Sequence, residues 1–390
     1  MTTTTKNRIE SIDFLKGLVM VIMALDHVRD YFHYSAFFFN PTDPTVTSVP
    51  IFFTRFMTHF CAPAFSFLAG LSAYMIGKRK PLNELSRFLF KRGIWLVFVE
   101  VIIISLAWKF DFQFRHIGLQ TIWSLGVSMM VLAGLIYLPK KFIWAFSLVI
   151  IFGHNLLDNI HFDGNFVWSM LHEPQKFEFA EGYTVVFAYS LLPWVAVMSL
   201  GYCFGSLYDS TFDAARRKRL LNRLGVGSFI LFFILAAINK YGDPFPWTNY
   251  GYSIKTVMAI LNVNKYPPSL QYLLITLGGA LLFLAHSEKL KGKVVDFFTV
   301  FGRVPFFYYV LHIYLIHLLA AFAAYFTGFG WNALVLPRFI TRVEALQGYG
   351  FNLITVYLVW IVVIIALYPL CKKFDTYKQN NKDKWWLSYL

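Results

Sequence analysis

SIDFLKGLVMVIMALDHVRDYFH, residues 11–33, sets an apolar run from Gly17 to Leu25 between Lys16 and a charged cluster of Asp26, His27, Arg29 and Asp30. An ionised group at membrane depth costs about 2.5–3.5 kcal/mol on insertion scales, so several at one helix end belong in a polar cavity or a site. Lys16 and His27 also share a helical face. Eleven steps of 3.6-fold helix leave them about 20° apart around the axis and about 16 Å apart along it.

The rest of the chain supports a membrane reading. Of 390 residues, 57% are hydrophobic, 19% aromatic and only 14% charged, whereas a soluble domain carries about a quarter charged residues. Apolar stretches near the spanning length lie at about 11–31, 51–77, 91–108, 119–138, 142–157, 183–207, 224–240, 268–286, 304–327 and 350–371. The expectation is an all-α, polytopic bundle of about ten transmembrane helices forming one domain over 1–390, with short polar tails at 1–10 and 378–390. The first apolar segment ends in DHVRD and has no small-residue cleavage site, so it is expected to stay as the first membrane helix.

The net charge of +14 raises the question of nucleic acid, and the distribution of that charge answers it. With the N-terminus placed in the cytoplasm, the inner segments hold 24 Lys and Arg and the outer segments hold 8. This is the positive-inside pattern. It puts both termini in the cytoplasm of a multi-pass cell-membrane protein, a bacterial inner membrane being the expected setting, and reads RRKR at 216–219 as a topology determinant. Lipid is a partner on this reading and nucleic acid is not. Oligomeric state is not readable, and a homo-oligomer stays open.

Cys61, Cys203 and Cys371 lie in apolar spans without CxxC spacing, which suggests neither a disulfide framework nor a metal site. HExxH, GxSxG, P-loop and dinucleotide motifs are absent from the sequence. The outer stretches YGDPFPW (241–247) and KYPPS (265–269) read as turns packed on helix ends, with a substrate entrance as the other reading.

With the N-terminus inside, Asp26, His27 and Asp30 fall at the outer end of the first helix. Arg55 and His59 fall at matching depth on the second, four residues apart and on one face. His27 suits a general base, with Asp30 one turn on as its preferred orienting carboxylate and Asp26 as the other. Arg29, Arg55 and His59 are candidate donors to developing negative charge. In FGRVPFFYYVLHIYLIHLL (301–319), Arg303 sits at the inner mouth and His312 and His317 lie deeper. Their spacing of five turns them about 140° apart, which makes them poor co-ligands for one metal. His312 is a candidate substrate contact. Arg303, Arg92 and Arg87 near the inner surface would suit nucleotide phosphates, or act only as topology charges.

Several of these blocks resemble a known family. Lys16, ten residues and His27 resemble the first-helix signature of membrane-bound acyltransferases, in which the first residue is Arg; AFSFLAG (64–70) and FYYVLHIYLIH (307–317) resemble two later blocks. RIESIDFLKGLVMVIM (8–23), CAPAFSFLAG (61–70), KYPPSL (265–270) and FGRVPFFYYVLH (301–312) resemble the bacterial branch of the heparan-α-glucosaminide N-acetyltransferase-like family. The resemblance implies transfer of an acetyl group from cytoplasmic acetyl-CoA to a hydroxyl or amine of a sugar or glycan on the far side of the membrane, with one essential histidine. It leaves His27 and His59 both open for that role. The rival reading is a proton-coupled permease that uses the same His and Asp residues without acyl chemistry.

Overall fold

The computed structural model describes residues 9–251 and 253–388. In chain order the helices are α1 (Glu10–Phe32), α2 (Val49–Met57), α3 (Cys61–Gly77), α4 (Leu82–Val99), α5 (Ser105–Lys109), α6 (Thr121–Leu135), α7 (Lys140–Gly153) and α8 (Phe166–Leu171). They continue with α9 (Leu191–Phe204), α10 (Ala214–Ile238), α11 (Ile254–Leu261), α12 (Leu270–Ser287), α13 (Lys293–Arg303), α14 (Pro305–Phe326) and α15 (Leu353–Asn380). Among the described residues, seven segments are long and apolar enough to cross a membrane: Val49–Gly77, Lys140–Leu157, Leu191–Tyr208, Ala214–Ile238, Leu270–Ser287, Pro305–Phe326 and Leu353–Asn380. The three other expected spans also fall on helix: α1, which carries more charge, the run from α4 through a π-turn at Glu100–Ile104 into α5, and the shorter α6.

The chain is therefore an all-α polytopic membrane protein, with one departure inside an expected span. Residues 183–187 of the expected 183–207 span form a strand, β3 (Tyr183–Phe187). It pairs in parallel with β1 (His116–Leu119) and antiparallel with β2 (Lys176–Ala180), giving the order β1-β3-β2. The alternation of a strand puts Leu119 and Phe187 on one face, packed with Trp123, Leu191 and Val195.

Local chemistry sets several boundaries. Pro305 occupies the first turn of α14, where its missing N–H costs nothing. Ser269 caps α12 by accepting from the Tyr272 N–H, and Asn352 caps α15 through the Thr355 N–H. Helix α1 lies at the centre, against α3, α13, α14 and α15. It meets α13 backbone to backbone: a Cβ on Gly17 would stand 1.7 Å from the Phe298 carbonyl oxygen, and one on Gly302 would stand 1.8 Å from that of Asp13. Only glycine allows such an approach, and it gives helices dispersion contact where lipid removes the hydrophobic drive to associate. The expected tail at residues 1–10 lies mostly outside the described residues. At the other end α15 runs to Asn380, and Leu387 is buried.

Candidate active site

The C-terminal end of α1 opens into a polar cavity of about 530 Å³. Asp26, His27, Arg29 and Asp30 line it from α1, Arg55 from α2, Trp108 from α5, Tyr309 from α14, and Lys265 and Tyr266 from the loop before α12. The four charges from α1 and α2 other than His27 form one alternating chain. Arg29 donates to Asp30 Oδ1 at 2.7 Å and to Asp26 Oδ1 at 2.9 Å, and Arg55 donates to Asp26 Oδ2 at 2.6 Å. Arg55 also donates to Thr58 Oγ1 at 2.9 Å.

This chain changes the expected role of the carboxylates. Asp26 and Asp30 are held by guanidinium groups, whose fixed fork of donors is well matched to carboxylate oxygens. His27 instead meets His312, with Nδ1 2.8 Å from His312 Nε2 and the rings stacked at 4.9 Å. His312 Nδ1 lies 2.9 Å from the Tyr308 carbonyl oxygen, which can only accept. For the neutral pair one assignment satisfies every contact. His312 donates from Nδ1 and accepts at Nε2, His27 donates from Nδ1, and the lone pair of His27 falls on Nε2.

The remaining histidines divide by what their ring nitrogens meet. His317 Nδ1 faces the Ala107 carbonyl at 2.7 Å, and Nε2 faces that of Leu334 at 2.8 Å. His154 likewise meets the carbonyls of Ile150 and Pro268 at 2.9 and 2.8 Å. Both rings are braces between elements. His59 is buried beside Phe56 and Tyr272 and does not line the cavity; its carbonyl accepts from Tyr272, and its Nδ1 has no hydrogen-bond partner among the described residues. Arg55 and His59 therefore do not act on one space, although they are four residues apart.

A second cavity of about 250 Å³ enters from the Lys16 end of α1. Its walls are largely apolar, with Lys16, Arg92, Arg303 and Lys378 among the lining residues. Lys16 donates to Ser72 Oγ on α3 at 2.8 Å, and Arg303 pairs with Asp375 Oδ2 at 3.5 Å. Arg87 is exposed and outside this cavity, so the structure separates it from Arg92 and Arg303. Met23, Thr121 and Tyr309 line both cavities and form the septum between them. Met23 lies one turn from His27, and the His27 and Tyr309 rings are 6.3 Å apart.

A third space of about 780 Å³ adjoins the polar cavity and shares Gln120, Tyr189, Tyr266 and Phe339 with it. Its floor is the other face of the sheet, with His116 and Gly118, Thr184 and Val186, and Lys176 and Glu178 at alternate positions of the three strands. Sequence reasoning missed Trp108, Thr121, Tyr189, Tyr309 and this sheet face. KYPPS was the one signal for Lys265 and Tyr266.

The loop that carries Lys265 is tied down by Asp243. Its Oδ2 accepts from the Asn264 N–H and Ser269 Oγ, both at 2.7 Å, and Oδ1 accepts from the Phe245 N–H at 3.0 Å. Burial raises the Asp243 pKa to about 6 against the hydrogen bonds that lower it. A carboxyl raised on folding binds its proton more tightly in the native state. Its contribution to stability is complete below the unfolded value near 4 and is lost as pH rises through 6. Thermal unfolding in detergent should accordingly show the wild type losing stability relative to Asp243→Asn between pH 4 and 6.5, and no further change in that difference at pH 7.5.

The fold defines a polytopic helical membrane protein with a histidine-centred polar cavity backed by a second, cation-ringed one. Residues 8–236 match the family model for heparan-alpha-glucosaminide N-acetyltransferase, catalytic. This match spans more than half of the chain, and the chain belongs to that family of membrane acetyltransferases. No curated protein matches it.

Proposed function

We propose that the protein moves an acetyl group from acetyl-CoA, bound in the Lys16-end cavity, to a hydroxyl or amine of a sugar or glycan bound in the polar cavity, with His27 as the general base. The observation that carries this reading is the septum: two cavities entered from opposite ends of α1 touch at Met23, Thr121 and Tyr309, beside His27. An uncoupled site needs one pocket; transfer across a membrane needs two that meet.

The chemistry then balances without a further reactant. The acceptor attacks the acetyl carbonyl and loses its proton to His27 Nε2, the new C–O or C–N bond forms, and the C–S bond breaks. The departing thiolate takes the proton from His27 Nε2 and leaves as free CoA. His312 holds the His27 ring in the tautomer that this needs. The Lys16, Arg92 and Arg303 cations suit the nucleotide phosphates of the donor, and the apolar walls suit its pantetheine arm. The polar cavity and the adjoining sheet-floored space offer room for an acceptor of more than one sugar unit. Inner-side donor and outer-side acceptor follow from the charge bias of the loops, and the same bias favours both termini in the cytoplasm.

Purified protein given acetyl-CoA with a labelled acetyl group and a panel of amino sugars, neutral sugars and oligosaccharides is expected to release CoA and label an acceptor. If the protein neither binds acetyl-CoA nor releases CoA, the reading fails and the permease is favoured. Within it, Arg303→Ala is expected to raise the KM for acetyl-CoA about tenfold with kcat nearly unchanged, the signature of lost uniform binding; Arg87→Ala should leave both constants at wild-type values in the same steady-state assay.

A further inference from the structure

The helices that bring His27 and His312 together each carry a second buried ring further along: Tyr31 on α1, one turn beyond His27, and His317 on α14, five residues beyond His312. Both grip α5 by its backbone. The Tyr31 hydroxyl donates to the Trp108 carbonyl at 2.6 Å, and His317 Nδ1 lies 2.7 Å from the carbonyl oxygen of Ala107. The two gripping groups also meet each other, with the Tyr31 oxygen 3.4 Å from His317 Nδ1 and the rings 4.9 Å apart. Phe110 ends α5 at a φ of 50°, in the left-handed region that a Cβ disfavours, and its ring stacks on that of His317 at 3.8 Å and 5°. A strained residue of this kind persists only where its surroundings fix it, and such residues gather at functional sites.

What this frame places is Trp108. The indole stacks on Tyr31 at 5.6 Å and 17°, meets Phe339 at 5.6 Å, and lines the polar cavity. It stands 4.8 Å from the His27 ring at 74°, within the range of about 4.5–7 Å over which aromatic pairs hold a preferred angle. His27 needs such a neighbour. The torsion that turns an imidazole about its Cβ–Cγ bond is broad, and the carboxylates that could have fixed it are held by Arg29 and Arg55. The bond to His312 restrains the ring at one atom, Nδ1. A rigid indole beside the ring restrains its plane, and so the direction in which Nε2 faces.

We propose that Trp108 is a positioning residue for the transfer reaction: its ring sets the orientation of the His27 imidazole, and Tyr31 and His317 set Trp108. This assignment rests on the acetyl-transfer reading and deepens it. The same two helices thus supply both tiers, the histidine pair that handles the proton and the pair of rings behind it that seats the indole. His317, a brace by its contacts, acquires a purpose from what it braces.

Trp108→Leu removes the aromatic plane, whereas Trp108→Phe keeps one. With the acceptor that gives the fastest CoA release, Trp108→Leu is expected to lower kcat by about 10²-fold, the cost of a small misplacement of a reacting group, with the KM for acetyl-CoA nearly unchanged. Trp108→Phe should stay within about tenfold of wild type. Tyr31→Phe, which deletes one oxygen, should cost less than Trp108→Leu and nothing further when combined with it; Trp108→Leu should likewise cost nothing further in His27→Ala, because it acts only through that ring. A wild-type kcat in Trp108→Leu, equal losses in Leu and Phe, or a further loss in His27→Ala would overturn the assignment. ¹⁵N spectra of histidine-labelled protein read the ring without turnover, the His27 signals being those absent from His27→Ala. Wild type and Trp108→Phe should show one tautomer, protonated at Nδ1, and Trp108→Leu a mixture of two. An unchanged single tautomer in Trp108→Leu, in protein that releases CoA, removes Trp108 and leaves the acetyl-transfer reading standing. Protein that neither binds acetyl-CoA nor releases CoA removes that reading, and Trp108 loses its catalytic purpose with it.

Discussion

His27→Ala is expected to lower kcat by about 10²–10⁴-fold, the range supplied by a positioned general base, while acetyl-CoA binds as in the wild type. Calorimetric titration of acetyl-CoA and a thiol assay of CoA release measure the two separately. The expectation of normal binding comes from geometry, since His27 lines the polar cavity and not the cation-ringed one. His59→Ala serves as the contrast. His59 is shut out of both cavities, so its truncation should act through stability and leave kcat within a few fold. Full activity in His27→Ala with loss in His59→Ala would reverse the assignment.

His312 is tested by what it must offer. If it acts by accepting the His27 Nδ1–H, His312→Gln retains an acceptor oxygen and should keep more activity than His312→Leu, which leaves that N–H buried without a partner. Losses of the same size in the two variants would mean that the ring only fills space.

The helices were legible because length and hydropathy are local properties, and the expected spans fall on helix almost throughout. The strand at 183–187 was not. Its partners lie at 116–119 and 176–180, and VVF inside a longer apolar run has no periodicity of its own. At the site, the sequence supplied His27, Asp26, Arg29, Asp30 and Arg55 as one cluster, and the structure keeps them together. Their pairing was beyond reach. Neighbours one turn apart suggest a His–carboxylate contact, yet the arginines take the carboxylates, and the imidazole partner lies 285 residues away. Thr121, Tyr189 and Tyr309 carry no charge and stand in ordinary aromatic, apolar surroundings, so nothing local marks them; α6, the turn between β3 and α9, and α14 bring them to one polar cavity.

Asp26→Ala is expected to be the most destabilising change in the charged cluster, and its place in the cluster is the reason. The order of charges is Asp30, Arg29, Asp26, Arg55, alternating in sign, so Asp26 is interior and Asp30 terminal. Removing Asp30 leaves Arg29 paired with Asp26. Removing Asp26 leaves Arg29 with Asp30 but strips Arg55 of its carboxylate, with the Thr58 hydroxyl as its remaining bond in the cluster. An uncompensated charge taken out of water costs about 3–5 kcal/mol; the cavity admits some solvent, which places Asp26→Ala near the lower end of that range, or about 3 kcal/mol, and Asp30→Ala at about 1.5 kcal/mol, the low end for one charge-assisted bond. Chemical unfolding in a fixed detergent would measure both. Asp26→Ala combined with Arg55→Met should recover most of the loss, because the second change removes the charge that the first one orphaned. Equal losses for Asp26 and Asp30, or no recovery in the double variant, would show that the four charges stand as independent pairs and that the chain has no interior member.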